Sequence, residues 1–138
     1  MPETNEQVCF AFGDSPEMAD ALLALVIKGE KTATCGDARD FEAGGETLPQ
    51  VGRRDVVLNG RGQKAAIIET VEVTRKRFDE IDEQFAYDEG EGLRNLDDWR
   101  ESHQAYFERN GHFSPDMMLI CERFRLVEVL SPENTEVD

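Results

Sequence analysis

The chain has 138 residues, a length that suits one domain with a core of its own and no need of disulfides or metals. Its 15 basic and 30 acidic residues give a formal net charge of −15, which argues against binding nucleic acid through general positive charge. Three cysteines predict reduced thiols in a cytoplasmic protein, and the polar start and lack of a long apolar run argue against a signal peptide or membrane span.

The first elements are a short strand over residues 8–12 and a helix that begins near Pro16. Asp14 or Ser15 can cap the start of this helix, and Lys28 followed by Gly29 is typical of a helix end. Apolar residues at spacings of three and four predict one buried face, made of Met18, Ala21, Leu22, Leu25 and Val26.

The middle of the chain predicts a loop and then a β-hairpin. Residues 37–52 are rich in Gly and Glu and are typical of an irregular loop. Two strands follow, over 55–58 and about 64–74, joined by a turn over 59–62. In the second strand the set 65, 67, 69, 71 and 73 is more apolar than the set 66, 68, 70 and 72, so we expect the first set to face the core.

The last third predicts two helices, over 79–86 and 96–109, a strand over 117–130 and a mobile tail over 131–138. The longer helix carries Leu96, Trp99, His103 and Tyr106 on one face. Few strands are separated by a full helix, so a parallel sheet is disfavoured. The pattern predicts an α+β fold: a small mixed β-barrel flanked by helices, as one domain over 1–138 with its core at about 9–129 and mobile termini.

Four segments, in this order and spacing, resemble the ASCH domain family. They are Phe12-Gly13-Asp14-Ser15-Pro16-Glu17, the run Gly29-x-Lys31-Thr32-x-Thr34, Glu89-Gly90-Glu91-Gly92 followed by Trp99-Arg100, and Cys121-Glu122-Arg123-Phe124. The resemblance runs from about Cys9 to Val129 and implies a PUA-like fold, with helices packed round a cleft. ASCH domains as a class are associated with RNA. Some bacterial members are described as ribonucleases, and others are amidohydrolases that remove the acyl group from N4-acylcytidines.

The resemblance also implies site residues. The amidohydrolase members use a Lys, a Thr and a Glu, which the matching motifs place at Lys31, Thr34 and Glu89. Asp88 and Glu91 are close to the last of these. Relatives often carry an Arg shortly after the second Thr of the run, and the nearest Arg of this chain is Arg39, which we expect to contact substrate.

The residue types at Lys31, Thr34 and Glu89 support acyl transfer. A hydroxyl is a weak nucleophile until a base takes its proton, so Thr34 needs a partner. Lys31 can accept the proton if burial lowers its pKa; alternatively an ionised Glu89 is the base and Lys31 stabilises the oxyanion. On a regular strand, residues three apart point to opposite faces, so the chain between Lys31 and Thr34 has to turn or the lysine stem has to curl.

Other residues offer weaker candidates. Tyr87 and Trp99 can stack on a base, although Trp99 also suits a helix anchor. His103 and His112 could form an acid–base pair for RNA cleavage, but His103 lies on an apolar face that favours packing. The acidic residues of 79–91 suit a solvated surface better than a Mg²⁺ site, and two His without a Cys-x-x-Cys motif disfavour zinc, so neither metal nor cofactor is expected.

Three functions therefore compete. The first is an amidohydrolase acting on N4-acylated cytosine or cytidine, with a small modified nucleoside as its partner. The second is an RNA-binding domain with Mg²⁺-dependent ribonuclease activity on single strands, and the third is a non-catalytic module that binds nucleosides or RNA. The charge of −15 favours the first, because a neutral nucleoside is not repelled as an RNA strand is.

Overall fold

The computed structural model describes residues 8–42 and 48–130. The strands are β1 (Cys9–Phe10), β2 (Ala33–Asp37), β3 (Arg54–Leu58), β4 (Lys64–Arg77) and β5 (Met118–Val129). The helices are α1 (Pro16–Lys28), α2 (Ala38–Glu42), α3 (Glu83–Glu89) and α4 (Leu96–Arg109), with a short 3-10 helix at Phe78–Glu80. The tail predicted over 131–138 lies outside the described residues. Within the described part of the chain, no helix is both long and apolar enough to cross a membrane.

The strands form one sheet in the order β1-β3-β4-β5-β2. The β1–β3 pair is parallel, and the other pairs are antiparallel. The long β4–β5 ladder contains two irregularities, one of them between Thr70 and Glu72, and such bulges bend a sheet. The sheet is open, because β1 and β2 at its two edges pair with no further strand among the described residues. The predicted α+β class is confirmed, with a barrel-like sheet that does not close.

The face of β4 that lies in the core differs from the prediction. Ala66, Ile68 and Thr70 are buried, whereas Val71 is 46% exposed. The prediction was wrong because it counted Thr70 as a polar, solvent-facing residue. Its hydroxyl instead donates a 2.7 Å hydrogen bond to the Glu122 carboxylate inside the protein, and a buried polar group with a partner is compatible with a core face.

The helices follow local signals where those signals are unambiguous. α1 is capped at its start by Ser15, whose side chain accepts from the Met18 amide, and at its end by Gly29 in the left-handed conformation. The helix predicted over 79–86 is wrong in its bounds, because Asp82 caps a helix that begins only at Glu83. The segment predicted as a loop over 37–52 contains the last residue of β2 and then α2, so it is not wholly irregular.

Two apolar clusters place the two faces of β5 in different surroundings. Leu119 and Cys121 pack with Trp99 between α3 and α4, whereas Phe124 packs with the apolar face of α1. Because successive side chains of a strand point to opposite faces, Glu122 lies on the same side of β5 as Phe124. The sheet therefore separates the surroundings of Cys121 from those of Glu122.

Candidate active site

Lys31 lies between α1 and β2 and is almost wholly buried, at 1% exposure. Its ammonium nitrogen, Nζ, is 2.9 Å from Glu89 Oε1 and 2.7 Å from Glu91 Oε2. It also donates to the Ala33 carbonyl at 2.9 Å. A buried ammonium needs such partners, since burial without them would remove its charge. Lys31 is thus the centre of a buried polar cluster, which we define as Lys31, Glu89, Glu91 and His103.

Glu89 is the last residue of α3, and both of its carboxylate oxygens are engaged. Oε1 accepts from Lys31, and Oε2 accepts from the Trp99 indole nitrogen at 3.1 Å. His103 Nε2 lies 3.6 Å from the same Oε2. The carboxylate is therefore held rigidly in one orientation by groups from the β2 side and from α4.

The approach of α3 to the Lys31 segment depends on Gly90. This residue adopts φ 77°, and a Cβ atom there would lie 2.3 Å from the Glu30 carbonyl oxygen. The Thr32 amide donates to the Asp88 carbonyl at 2.8 Å across the same contact. Only glycine fits this conformation and this spacing without strain. The Glu89-Gly90 pair of the sequence motif thus supplies both the carboxylate and the close approach.

The protonation states of the buried cluster follow from these contacts. Burial alone would lower the pKa of Lys31, but the Glu89 and Glu91 carboxylates outweigh it and raise that pKa. Burial would raise the pKa of Glu89, but Lys31 and His103 hold it far below its usual range. Lys31 is therefore charged and Glu89 ionised at neutral pH. Of the two predicted versions, Lys31 as a neutral base is disfavoured.

His103 belongs to the cluster, although its position on an apolar helical face had favoured simple packing. Its ring stacks on Trp99 with centroids 4.2 Å apart, and Nδ1 lies 3.0 Å from the Trp99 carbonyl oxygen. Because a carbonyl only accepts, Nδ1 carries a hydrogen. Burial would lower the pKa of His103, but the Glu89 carboxylate outweighs it and raises that pKa. The sequence did contain a signal for the stacked rings, because Trp99 and His103 are four positions apart and therefore neighbours on one face of α4.

Two adjoining cavities meet at Thr34. A cleft of about 880 Å³ and a recess of about 90 Å³ share part of their lining, including Phe12, Thr34 and Cys35. Glu89, Glu91 and His103 line the recess. Among the described residues, none forms a hydrogen bond with the Thr34 hydroxyl. The Thr34 hydroxyl therefore lies at the junction of the two cavities, and no group of the described residues holds it.

The structure brings some of the predicted site residues together and separates others. Thr34 and Glu89 share the recess, and Lys31 lies behind Glu89 without lining either cavity. Arg39 lines the cleft and is paired with Asp37 at 2.6 Å. Sequence reasoning had also left Asp88 open as the acidic residue, but the Asp88 side chain pairs with the Arg123 guanidinium.

The stacking roles predicted for Tyr87 and Trp99 are not supported by their positions. Trp99 is 3% exposed, packs on Phe78 and donates to Glu89, so its face is not available to a ligand. Tyr87 is half exposed but lines neither cavity, and the Arg94 guanidinium covers its ring at 3.9 Å. Trp99 is instead a positioning residue for Glu89. The sequence could not reveal the contact between Trp99 and Glu89, because it depends on how α3 and α4 pack.

Cys35, Glu89 and His103 form a trio that could be considered for a metal, since one ligand atom from each lies within 4.8 Å of the others. Burial and the Glu89 carboxylate raise the pKa of the Cys35 thiol well above its usual range, whereas a metal binds the thiolate. Both Glu89 oxygens already have donors, one of them an ammonium. The donor set fits a metal poorly, and no step is assigned to one.

The floor of the large cleft is acidic and largely paired. Asp55 is buried and accepts two hydrogen bonds from the Arg53 guanidinium, at 2.7 and 2.8 Å. Glu122 is buried beside it and accepts from Thr70. The two arginines that line the cleft among the described residues, Arg39 and Arg53, are therefore each paired with an aspartate, and Glu122 adds a buried carboxyl group.

Comparisons with known proteins identify the family and the fold of this chain. The family model of the ASCH domain matches residues 8–128. A protein of Enterococcus faecalis with a crystal structure is 34% identical, with a TM-score of 0.84 over 96% of this chain and 83% of that chain. The ASCH domain of Lactobacillus crispatus is 34% identical, with a TM-score of 0.82 over 88% and 80%.

An ASCH protein of Zymomonas mobilis is 9% identical, with a TM-score of 0.54 over 90% of this chain and 71% of that chain, which is a likeness of fold alone. No curated protein matched the chain. The family match covers nearly all of the described residues, and the two structures at 34% identity cover most of each chain. The chain belongs to the ASCH domain family and has its PUA-like fold.

Proposed function

We propose that this protein is an amidohydrolase that removes the acyl group from N4-acylated cytosine or cytidine, with Thr34 as its nucleophile. The observation that carries the proposal is the position of the Thr34 hydroxyl, which has no hydrogen-bond partner among the described residues and lies where the cleft meets the recess. The buried charges of Lys31 and Glu89 adjoin that recess. The resemblance to the amidohydrolase members of the ASCH family, through the same three residues, supplies the reaction class.

The charges of the buried cluster suit acyl transfer. Attack of a hydroxyl on an amide carbonyl places negative charge on the carbonyl oxygen, and fixed positive charge in a low-dielectric site stabilises it. Lys31 supplies that charge from behind the recess, and Glu89 keeps Lys31 protonated and oriented. Glu91 is the more exposed partner of Lys31, so in this proposal it is the partner that the substrate carbonyl oxygen replaces. The nucleophile then forms an acyl-Thr34 intermediate, which water hydrolyses.

The large cleft favours a neutral nucleoside over an RNA strand. A volume of about 880 Å³ lies in the range of small-molecule sites, and Phe10, Phe41 and Tyr106 supply aromatic lining. Arg39 and Arg53, which also line it, are each paired with an aspartate. Phosphates would therefore compete with carboxylates for the same guanidinium groups. On these grounds a ribonuclease or an RNA-binding module is the less favoured function.

The test is to incubate the protein with N4-acetylcytidine and with single-stranded RNA, each with and without EDTA. We expect release of cytidine and acetate that EDTA does not inhibit. Thr34→Val removes the hydroxyl but keeps the shape of the side chain, and should lower kcat by about 10³-fold or more. Thr34→Ser keeps a hydroxyl and should retain measurable activity. RNA cleavage that EDTA abolishes, with N4-acetylcytidine left intact, would contradict the proposal.

A further inference from the structure

Thr34 has a carboxylate as its direct cross-strand neighbour. In the antiparallel ladder of β2 and β5, Thr34 is the register partner of Glu122. Residues directly opposite each other in such a pair project to the same face, with Cβ atoms about 4.5–5.5 Å apart. Both side chains also line the large cleft. The register of the sheet therefore places a carboxylate beside the proposed nucleophile.

The Glu122 carboxylate is held by one oxygen and leaves the other available. Oε2 accepts a 2.7 Å hydrogen bond from the hydroxyl of Thr70, which is itself 1% exposed. No other described residue donates to Glu122, and none of them forms an ion pair with it. Glu89 is the opposite case, since each of its oxygens already accepts a hydrogen bond. Among the described residues two glutamates are buried, and of these only Glu122 has a carboxylate oxygen that accepts no hydrogen bond from a described group.

The surroundings of Glu122 also give it the greater basicity. Burial and the Asp55 carboxylate raise the pKa of Glu122, whereas the Thr70 hydrogen bond and the Arg53 guanidinium lower it. The net result is a raised pKa. These three residues are the polar groups that face Glu122 from β4 and from the β3 side, with Thr34 on the β2 side. A base works best when its pKa lies near the working pH. The strongly lowered pKa of Glu89 makes that carboxylate a poor base.

We propose that Glu122 is the catalytic base of this site: its available oxygen accepts the proton of the Thr34 hydroxyl as that hydroxyl attacks the acyl carbon. The assignment rests on the proposed amidohydrolase function and gives Glu89 a different role, which is to hold Lys31. No direct Thr34–Glu122 hydrogen bond exists in the structure, so the transfer passes through one water or follows a rotation of Thr34 on substrate binding, as catalytic contacts often tighten in the complex.

The proton balance is complete with substrate and water alone. The Thr34 oxygen bonds to the acyl carbon while its proton moves to Glu122, and the carbonyl π electrons become an oxyanion. As the oxyanion re-forms the carbonyl, the bond from carbon to N4 breaks and Glu122 returns the proton to the leaving nitrogen. Water then attacks the acyl-Thr34 ester, Glu122 takes its proton and passes it to the Thr34 oxygen, and the carboxylic acid leaves.

The experiment measures two reactions in parallel in the whole protein. One is hydrolysis of N4-acetylcytidine across a pH series. The other is acetylation of Thr34 by p-nitrophenyl acetate, followed by mass spectrometry, which needs the nucleophile and base but no cytidine. Glu122→Gln keeps the size of the side chain and an acceptor for Thr70. Glu72→Gln, at an exposed carboxylate of β4, is the matched control.

We expect Glu122→Gln to slow both reactions by about 10²–10⁴-fold and to remove the rise of kcat/KM with pH, whereas Glu72→Gln leaves both unchanged. Thr70→Val removes the hydrogen bond that favours the ionised carboxylate, so the rise should move to higher pH. If Glu122 had only a structural role, the substitutions would lower the rates but would not change the pH at which kcat/KM rises.

The outcomes separate this proposal from the proposed function. Thr34 acetylation that depends on Glu122, in a protein that does not hydrolyse N4-acetylcytidine, would keep Glu122 as the base and overturn the substrate. Hydrolysis of N4-acetylcytidine at the wild-type rate and with the wild-type pH profile in Glu122→Gln would overturn Glu122 and keep the substrate. Thr34 that neither reagent acylates would overturn both.

Discussion

At the scale of single residues, the buried cluster is stable because each member has a partner. The Lys31 ammonium contacts both Glu89 and Glu91, and the His103 ring lies beside the Glu89 carboxylate, where its protonated form adds a second positive charge. Removing one member of such a set leaves an uncompensated buried charge, which typically costs about 3–5 kcal/mol. Substitutions at Lys31 or Glu89 therefore affect folding as well as activity, and Thr34 is the cleaner position for testing the chemistry.

The raised pKa of His103 predicts how stability depends on pH. Stability from the charged ring is complete below the ordinary histidine pKa of about 6.5 and is lost as pH rises through the higher pKa of the folded state. We expect the free energy of unfolding to fall as pH rises above about 6.5, and to fall less steeply in His103→Gln. Urea unfolding at a series of pH values measures both slopes. The raised pKa of Glu122 also makes stability fall with pH, but it does so equally in the wild type and in His103→Gln. Parallel stability curves for the two proteins would therefore contradict the prediction.

At the scale of elements, the ends of α3 decide where Glu89 lies. Asp82 caps the first turn by accepting from the Phe85 amide at 2.9 Å. Gly90 ends the helix in the left-handed conformation directly after Glu89. A helix of seven residues has little stability of its own, so these ends and its packing against β2 and α4 hold it in place. The position of Glu89 is thus a property of the helix termini.

Gly90 and Gly62 form a matched pair for testing this point. Both are left-handed, at φ 77° and 78°, but a Cβ at Gly62 meets nothing within 4 Å, whereas a Cβ at Gly90 meets the Glu30 backbone. Gly62→Ala should cost roughly 1–2 kcal/mol of backbone strain. Gly90→Ala should cost about 1–3 kcal/mol more, because α3 has to move away from Lys31. Chemical unfolding measures both, and equal losses would show that the close approach is unimportant.

At the scale of the whole molecule, the charge of −15 and the paired arginines of the cleft act together. The net charge repels polyanions at a distance. In the cleft, Arg39 and Arg53 are already paired with aspartates, so phosphates would have to compete for their guanidinium groups. Neither affects a neutral nucleoside, whose recognition depends on shape, stacking and hydrogen bonds. Electrostatics therefore separates the competing substrate classes more clearly than the fold does.

Salt dependence measures this difference. With N4-acetylcytidine, kcat/KM should change by no more than about twofold between ~50 and ~200 mM salt, because an uncharged substrate makes no ion pairs. A protein that contacts several phosphates would lose about 10³–10⁵ in affinity over the same range. Initial rates at constant pH provide the measurement. A steep decline with salt would indicate that a polyanion is the substrate.

The sequence by itself determined those elements whose signals are local. The bounds of α4 match the prediction over 96–109, and the cap and end of α1 lie where Ser15 and Gly29 predict them. These features depend on residues within one or two turns of each other. The buried face of β4 was mispredicted because Thr70 is matched by Glu122, which lies 52 positions further along the chain. A side chain's burial cannot be derived from periodicity when its partner is remote.

The site residues also fall into those that the sequence predicted and those that only the tertiary structure brought together. Motif matching selected Lys31, Thr34 and Glu89, but the contact between Lys31 and Glu89 spans 58 positions and exists only because Gly90 lets α3 approach the start of β2. The inclusion of His103, the position of Lys31 behind the recess and the pairing of Thr34 with Glu122 were decided by helix packing and strand register. Residue types carry the possible chemistry, but which groups meet depends on distances that only the folded chain sets.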